Sequence, residues 1–170
     1  LFGQDHYGLV IHSVLAGTAT IPVLYLLGRA LFGRAVGLLA AGLLTVSYTH
    51  IHFSRTLFGP LATLCVTLAV TLLVAALRSG APALFALSGG VLSFGLFNYY
   101  SARVGPVVVA TLAIWQLVFD RPAFRRAWRG WLLLVASALV VFGPKLALLV
   151  TDFASFTGRG ASVAIWNPDV

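Results

Sequence analysis

Long apolar segments separated by short polar connections fill almost the whole chain. A helix that crosses a membrane needs about 20 mainly apolar residues, within a range of roughly 17–25. Because lipid offers no hydrogen-bond partner to backbone N–H and C=O groups, such segments are expected to be helical. The pattern predicts six spanning helices, over residues 7–27, 35–53, 57–77, 82–100, 104–119 and 131–150. We therefore predict an all-α fold, a polytopic transmembrane helical bundle.

The composition agrees with this prediction and excludes three other classes of protein. Hydrophobic residues make up 60% of the 170 residues and charged residues 9%, whereas a soluble domain has about 25% charged residues. A soluble globule could not hide so much apolar surface, and a disordered chain would lack it. A single cysteine, Cys65, excludes a disulfide scaffold. Because the sequence has no methionine and no visible signal peptide, we expect residues 1–170 to be one fragment of a larger membrane domain.

The basic residues divide unequally between the two sides of the predicted bundle. Seven of the eleven lie on the connections that would share one side: Arg29, Arg34, Arg78, Arg121, Arg125, Arg126 and Arg129. The positive-inside rule assigns that side to the cytoplasm. We therefore predict a multi-pass protein of the plasma (inner) membrane whose first residue lies outside. The cations are scattered singly between apolar stretches, so that no nucleic-acid partner is expected despite the net charge of +7.

Four polar clusters lie on the opposite, outer side and combine cations with aromatic or amide side chains. Their candidate substrate-binding residues are His50, His52, Arg55, Asn98, Tyr99, Tyr100, Arg103, Lys145 and Arg159. Each residue alone has a simpler structural explanation, as an interfacial aromatic ring or as a cation that reaches out of the membrane. Taken together, arginines that bind phosphate and rings that stack on sugars suit the head of a lipid-linked sugar.

The same clusters do not predict a metal site. His50 and His52 are two residues apart, so that they do not share one face of a helix. The chain contains no glutamate, and no aspartate lies near these histidines, which leaves a zinc site without enough ligands. A divalent cation as a cofactor stays open, since the sequence does not require one.

Three stretches of the chain resemble one family of membrane enzymes. They are residues 17–34, which end in the sequence GRALFGR, residues 50–55 (HIHFSR) and residues 99–106 (YYSARVGP). These stretches resemble the GT-C integral-membrane glycosyltransferases, and most of all the protein-mannosyltransferase and ArnT-like branch. Residues 156–165 are similar to an outer loop of the same family.

The resemblance implies a glycosyltransferase that moves a sugar from a polyprenyl-phosphate donor to a glycan, lipid or protein acceptor on the outer side, with inversion. It implies that the chain begins at the end of the first outer loop, which bears the catalytic base, and that the fragment alone is inactive. Asp5 is the candidate base within this chain. Arg55 and Arg103, with Lys145 and Arg159, would hold the donor phosphate. The sugar pocket would be lined by His50, His52, Asn98, Tyr99 and Tyr100.

Two other functions stay open at this point. The first is a transporter or flippase subunit for a lipid-linked or small anionic substrate, for which Pro22 and Pro144 offer modest helix interruptions. The second is a purely structural membrane subunit, which would not need polar aromatic residues clustered on one side. The charges lie at the ends of the predicted spans rather than in their middle, which favours an enzyme that works at the membrane surface.

Overall fold

The computed structural model of the protein describes residues 6–55 and 59–151, and the candidates Asp5 and Arg159 lie outside these ranges. Throughout these two ranges the chain is helical, with short connections and no strand. The helices are α1 (His6–Phe32), α2 (Arg34–Val46), α3 (Tyr48–Ser54), α4 (Pro60–Ser79), α5 (Pro82–Asn98), a 3-10 turn (Tyr100–Arg103), α6 (Val104–Phe119) and α7 (Arg121–Thr151). The predicted all-α helical membrane bundle is confirmed.

Several of these helices are long and apolar enough to cross a membrane. In the described part of the chain, four meet that requirement over Val10–Phe32, Pro60–Ser79, Ser101–Phe119 and Arg121–Ala147. The pair α2 and α3 makes a fifth if the two helices form one bent span. Helix α5 is apolar but has only 17 residues. The number of crossings, six in the sequence-based prediction, stays a prediction.

A bend of 62° separates α2 from α3, where the apolar pattern predicts one helix over residues 35–53. Ser47 lies at the bend with extended backbone angles (φ −66°, ψ 117°), and its hydroxyl accepts a hydrogen bond from the backbone N–H of His50. A serine in this position satisfies an N–H that has no partner within the helix, and so it favours a new helix start. The local polar chemistry therefore interrupts a segment whose overall hydropathy is continuous.

Helix α5 lies between α4 and α7 and contacts both through small residues. The hydroxyl of Ser88 donates to the carbonyl of Ala69 on α4 at 2.8 Å, and that of Ser93 donates to the carbonyl of Ala138 on α7 at 2.9 Å. Both serines are buried. Small residues let helix backbones approach closely in lipid, and hydrogen bonds between helices then add to the packing energy. Around this centre lies the core cluster of Ala69, Leu73, Ala76, Phe85, Leu92, Val109, Trp131 and Leu134.

The contacts also fix which helix ends lie together. Helices α5 and α7 run in the same direction, because Phe85 packs on Trp131 in the first half of each helix and Leu96 contacts Lys145 further along both. Helices α4 and α5 run in opposite directions. One end of the bundle, called the polar end, carries Arg55, Asn98, Tyr99, Arg103 and Lys145. The other, called the basic end, carries Arg29, Arg34, Arg78, Arg121, Arg125, Arg126 and Arg129.

Candidate functional site

The position of α3 at the polar end is set by close contact with α1. The Nε2 atom of His50 lies 3.1 Å from the carbonyl oxygen of Gly17. Because a carbonyl only accepts, the His50 ring must donate from Nε2. A Cβ atom placed on Gly17 would lie 2.8 Å from the Cβ of Ser54. Helix α3 can therefore approach α1 this closely only because residue 17 has no side chain.

Arg55 follows α3 directly and is exposed. Its backbone N–H donates to the carbonyl of His52 at 3.1 Å, which closes the helix and starts the connection to α4. The exposed ring of His52 stacks on Tyr48 with 5.9 Å between the centroids. The ring of His50 donates a hydrogen bond to Gly17, whereas the ring of His52 is exposed at the surface, three residues before Arg55. Helix α3 thus carries the two exposed rings of this stack and is followed directly by an exposed arginine.

The second cluster occupies the turn between α5 and α6. The side-chain amide of Asn98 donates to the carbonyl of Phe94 at 2.8 Å in the last turn of α5. Tyr99 is extended and the 3-10 turn follows, in which Ala102 is buried close to Gly95. Arg103 ends that turn and is exposed. The backbone thus holds Ala102 against the bundle and places Arg103 at the start of α6.

Lys145 is half-buried at the polar end and has partners on the neighbouring helix. Its ammonium group donates to the carbonyl of Leu96 at 3.2 Å and lies 5.4 Å from the ring centre of Phe97 and 6.0 Å from that of Phe142. The last carbonyls of a helix have no partner within it and carry a partial negative charge. Lys145 of α7 therefore stabilises the end of α5, with its charge also placed over two aromatic faces.

The structure places several of the sequence-predicted site residues at the same end of the bundle and gives two of them partners within the bundle. Arg55, His52, Asn98, Tyr99 and Arg103 all lie at the polar end, on the two segments that flank the start of α4. His50 and Lys145 lie at the same end but have backbone carbonyls as partners. The side chain of Tyr100 lies outside the described part of the structure. Within residues 6–55 and 59–151, no three His, Cys, Asp or Glu side chains form a group that could hold a metal ion.

Two residues that position the site were missed at the level of the sequence. Gly17 and Ser54 fix the distance between α1 and α3, and hence the place of Arg55. The available signal was a glycine in the middle of an apolar helix, which usually marks a close approach of another backbone in lipid. The sequence did not show which segment makes that approach.

The fold defines this molecule as a polytopic helical membrane protein. The described aromatic and cationic residues that the sequence suggests for substrate binding lie at one end of its bundle. The family model described as dolichyl-phosphate-mannose-protein mannosyltransferase matches residues 1–147. The chain belongs to this family, and it is therefore a membrane glycosyltransferase of the GT-C type. No curated protein and no solved structure matches it. The resemblance inferred from the motifs is confirmed at the level of the family.

Proposed function

We propose that the full-length protein transfers a sugar from a polyprenyl-phosphate donor to an acceptor on the extracytoplasmic side of the membrane, with inversion at the anomeric carbon. The observation that carries this proposal is the family match over residues 1–147. The chemistry of the polar end supports the choice of donor, since a lipid-linked sugar phosphate needs cations for the phosphate and rings for the sugar. The acceptor is a glycan, a lipid or a protein.

In this proposal Arg55 and Arg103 bind the phosphate of the donor. A guanidinium group offers five N–H donors in a planar fork and stays charged at every physiological pH. When the bond from the sugar to the phosphate breaks, negative charge grows on the leaving phosphate. Cations that are already in place stabilise that charge more than they stabilise the intact donor, and so they accelerate the reaction.

The remaining residues of the polar end take two roles. His52, Asn98, Tyr99 and Tyr100 line the sugar and the headgroup. His50 and Lys145 act as positioning residues, because each donates a hydrogen bond to a backbone carbonyl of a neighbouring helix. Arg159, which lies outside the described residues, is a further candidate for the phosphate.

The catalytic step needs a carboxylate near the acceptor. The base removes the proton of an acceptor hydroxyl, whose oxygen forms a bond to the anomeric carbon as the bond to the phosphate oxygen breaks. The polyprenyl phosphate leaves with the electron pair of that bond. Among the described residues the acidic side chain is Asp120, which lies next to the basic end. Because the family resemblance implies that the first outer loop bears the base, the proposed base is Asp5 or another acidic residue of that loop.

A transporter or flippase is the second candidate function, because the bend between α2 and α3 is a feature that discontinuous helices of transporters share. One experiment separates the two. The purified full-length protein is given a radiolabelled polyprenyl-phosphate sugar with candidate acceptors, and in parallel it is placed in sealed vesicles loaded with the same donor. Transfer of the label to an acceptor supports the enzyme. Movement of the donor across the vesicle membrane without transfer supports the transporter.

A further inference from the structure

The basic end contains an open cleft that the proposed transfer reaction does not use. It has a volume of 580 Å³ and lies where the turn between α4 and α5 meets the end of α6 and the start of α7. This volume falls within the range of about 300–1,000 Å³ that is typical of ligand sites. Its lining includes three arginines, one amide and an aromatic floor: Arg78, Arg126, Arg129, Gln116 and Phe85.

The charge of this cleft is positive and is not compensated by its lining. Arg78, Arg126 and Arg129 are all exposed side chains, and none of the described residues that line the cleft is an aspartate or a glutamate. The nearby carboxylate of Asp120 accepts a hydrogen bond from the backbone N–H of Ala123 at 3.1 Å, and so it serves the start of α7. Two of the three guanidinium groups also donate to backbone carbonyls: that of Arg126 to Pro122 at 3.4 Å, and that of Arg78 to Ala30. Each bond uses only part of the five donors that an arginine offers.

The inner wall of the cleft is apolar and well ordered by packing. Phe85 is buried against Trp131, with 6.3 Å between the ring centroids. The indole N–H of Trp131 donates to the side-chain oxygen of Gln116 at 3.0 Å, which leaves the amide NH2 of Gln116 available to an acceptor. The ligand that fits this wall therefore has an apolar part next to its anionic part.

Exposed aromatic residues place the cleft at the depth of the lipid headgroups. Trp115, Phe119 and Trp128 have 57%, 75% and 48% of their surface exposed, and they belong to the ends of α6 and α7 that form the cleft. Such rings prefer the interface between the membrane and water. A phosphate bound between the three arginines would therefore belong to a molecule whose chains lie in the membrane.

We propose that this cleft binds the phosphate group of an anionic phospholipid, with Arg78, Arg126 and Arg129 as its cations and the amide of Gln116 as a further donor. Basic pockets between the ends of membrane helices suit such headgroups because the lipid contributes both charge and apolar surface. The cleft lies at the opposite end of the bundle from Arg55 and Arg103. The proposal is independent of the proposed transfer reaction, and it stands or fails separately.

The test measures binding of phosphatidylglycerol and of phosphatidylcholine to the full-length protein in detergent micelles, with inorganic phosphate as a competitor. We expect preference for phosphatidylglycerol, and no displacement by inorganic phosphate at equal concentration. The double variant Arg126→Gln/Arg129→Gln should lose about tenfold or more of its affinity for phosphatidylglycerol. The matched control Arg121→Gln/Arg125→Gln removes the same charge from the same helix, but from residues outside the cleft, and should retain most of the affinity.

Three results would overturn the proposal. Phosphatidylcholine has the same phosphate but also a compensating ammonium group, so equal binding of the two lipids would show that the net negative charge of the headgroup is not recognised. An equal loss in the two double variants would show diffuse attraction to the basic end instead of a site. Displacement by equimolar inorganic phosphate would show a site for a free anion, in which the apolar wall has no role. The first and third results come from the unaltered protein, so that they decide the question even if a variant fails to fold.

Discussion

Lys145 and Arg55 belong to the same end of the bundle and have different surroundings. The Lys145 ammonium group is half-buried and donates a hydrogen bond from α7 to the carbonyl of Leu96 on α5. The Arg55 side chain is exposed after the end of α3. A cation close to the end of a membrane helix can stabilise that helix or bind a ligand. The bond to Leu96 assigns Lys145 to the end of α5, whereas the exposed side chain of Arg55 is the one that we propose to bind the donor phosphate.

Replacing Lys145 tests this assignment. Lys145→Met keeps a similar length and removes the donor to Leu96, and so it should lower the free energy of unfolding by about 0.5–2 kcal/mol. Thermal unfolding of the full-length protein in detergent measures the change. Lys145→Arg keeps a charged donor and should restore most of the stability. A variant Lys145→Met with unaltered stability and a strongly raised KM for the donor would instead place this ammonium group on the substrate.

The alternation of apolar spans and connections was enough to predict that the described candidates, such as Arg55 and Arg103, lie at the same end of the bundle. It was not able to predict the partners of single residues. His50 and His52 were treated alike, yet one donates to Gly17 across a helix interface and the other stacks on Tyr48 at the surface. That difference depends on the angle at Ser47, which the hydropathy of the segment does not encode.

Small residues decide how the helices of this bundle approach each other, and two neighbouring glycines of α5 show how local the effect is. A Cβ atom on Gly89 would collide with the carbonyl group of Leu134, with only 2.9 Å to its carbon atom. A Cβ atom on Gly90 would meet only Val141, at an ordinary 3.8 Å. The carbonyl group that a Cβ atom on Gly89 would meet belongs to the backbone of α7, and unlike a side chain it cannot rotate away.

We predict opposite effects for alanine at these two positions. Gly89→Ala should lower the free energy of unfolding by about 1–3 kcal/mol, because α5 and α7 must separate. Gly90→Ala should leave stability unchanged or raise it by up to about 1 kcal/mol through the higher helix propensity of alanine. Thermal unfolding of the two full-length variants provides the comparison. Equal stability of the two would contradict the packing of α5 on α7.

The contact between α1 and α3 links packing to the proposed site. Gly17→Ala should push Ser54 and the following Arg55 away from α1, and so it should reduce sugar transfer. The double variant Gly17→Ala/Ser54→Gly removes the opposing side chain and should recover part of the lost transfer. Rates of transfer by the three full-length proteins give this comparison. A double variant no better than Gly17→Ala alone would show that Ser54 is not the obstacle.

For the helices, prediction from the sequence was correct where hydropathy alone determines the structure. Continuous hydropathy predicts helices, and the described residues are helical. The additional start of α7 at Arg121 was not predicted, because arginines there were assigned to a connection. Pro122 suits the first turn of a helix, and Asp120 accepts from Ala123 as an N-terminal cap does. These short-range signals extend the helix ten residues before the predicted span.

The whole molecule has a basic end and a polar end, and the proposal needs the polar end to face outward. In a variant of the full-length protein whose native cysteines are replaced, Ser101→Cys should react with a membrane-impermeant maleimide in intact cells. Ser79→Cys, which is exposed at the basic end, should react only after the cells are opened. Labelling of Ser79→Cys in intact cells would reverse the orientation and remove the basis for an extracytoplasmic site.

The most direct measurement of the central claim is the rate of sugar transfer by the full-length protein with Arg55→Gln or Arg103→Gln. Loss of a group that stabilises the leaving phosphate should reduce kcat/KM for the donor by about 100-fold or more in each variant. Arg34→Gln, which changes an exposed arginine at the basic end, should stay close to the parent protein. If both polar-end variants transfer sugar with unchanged kcat and KM, these arginines do not hold the donor phosphate.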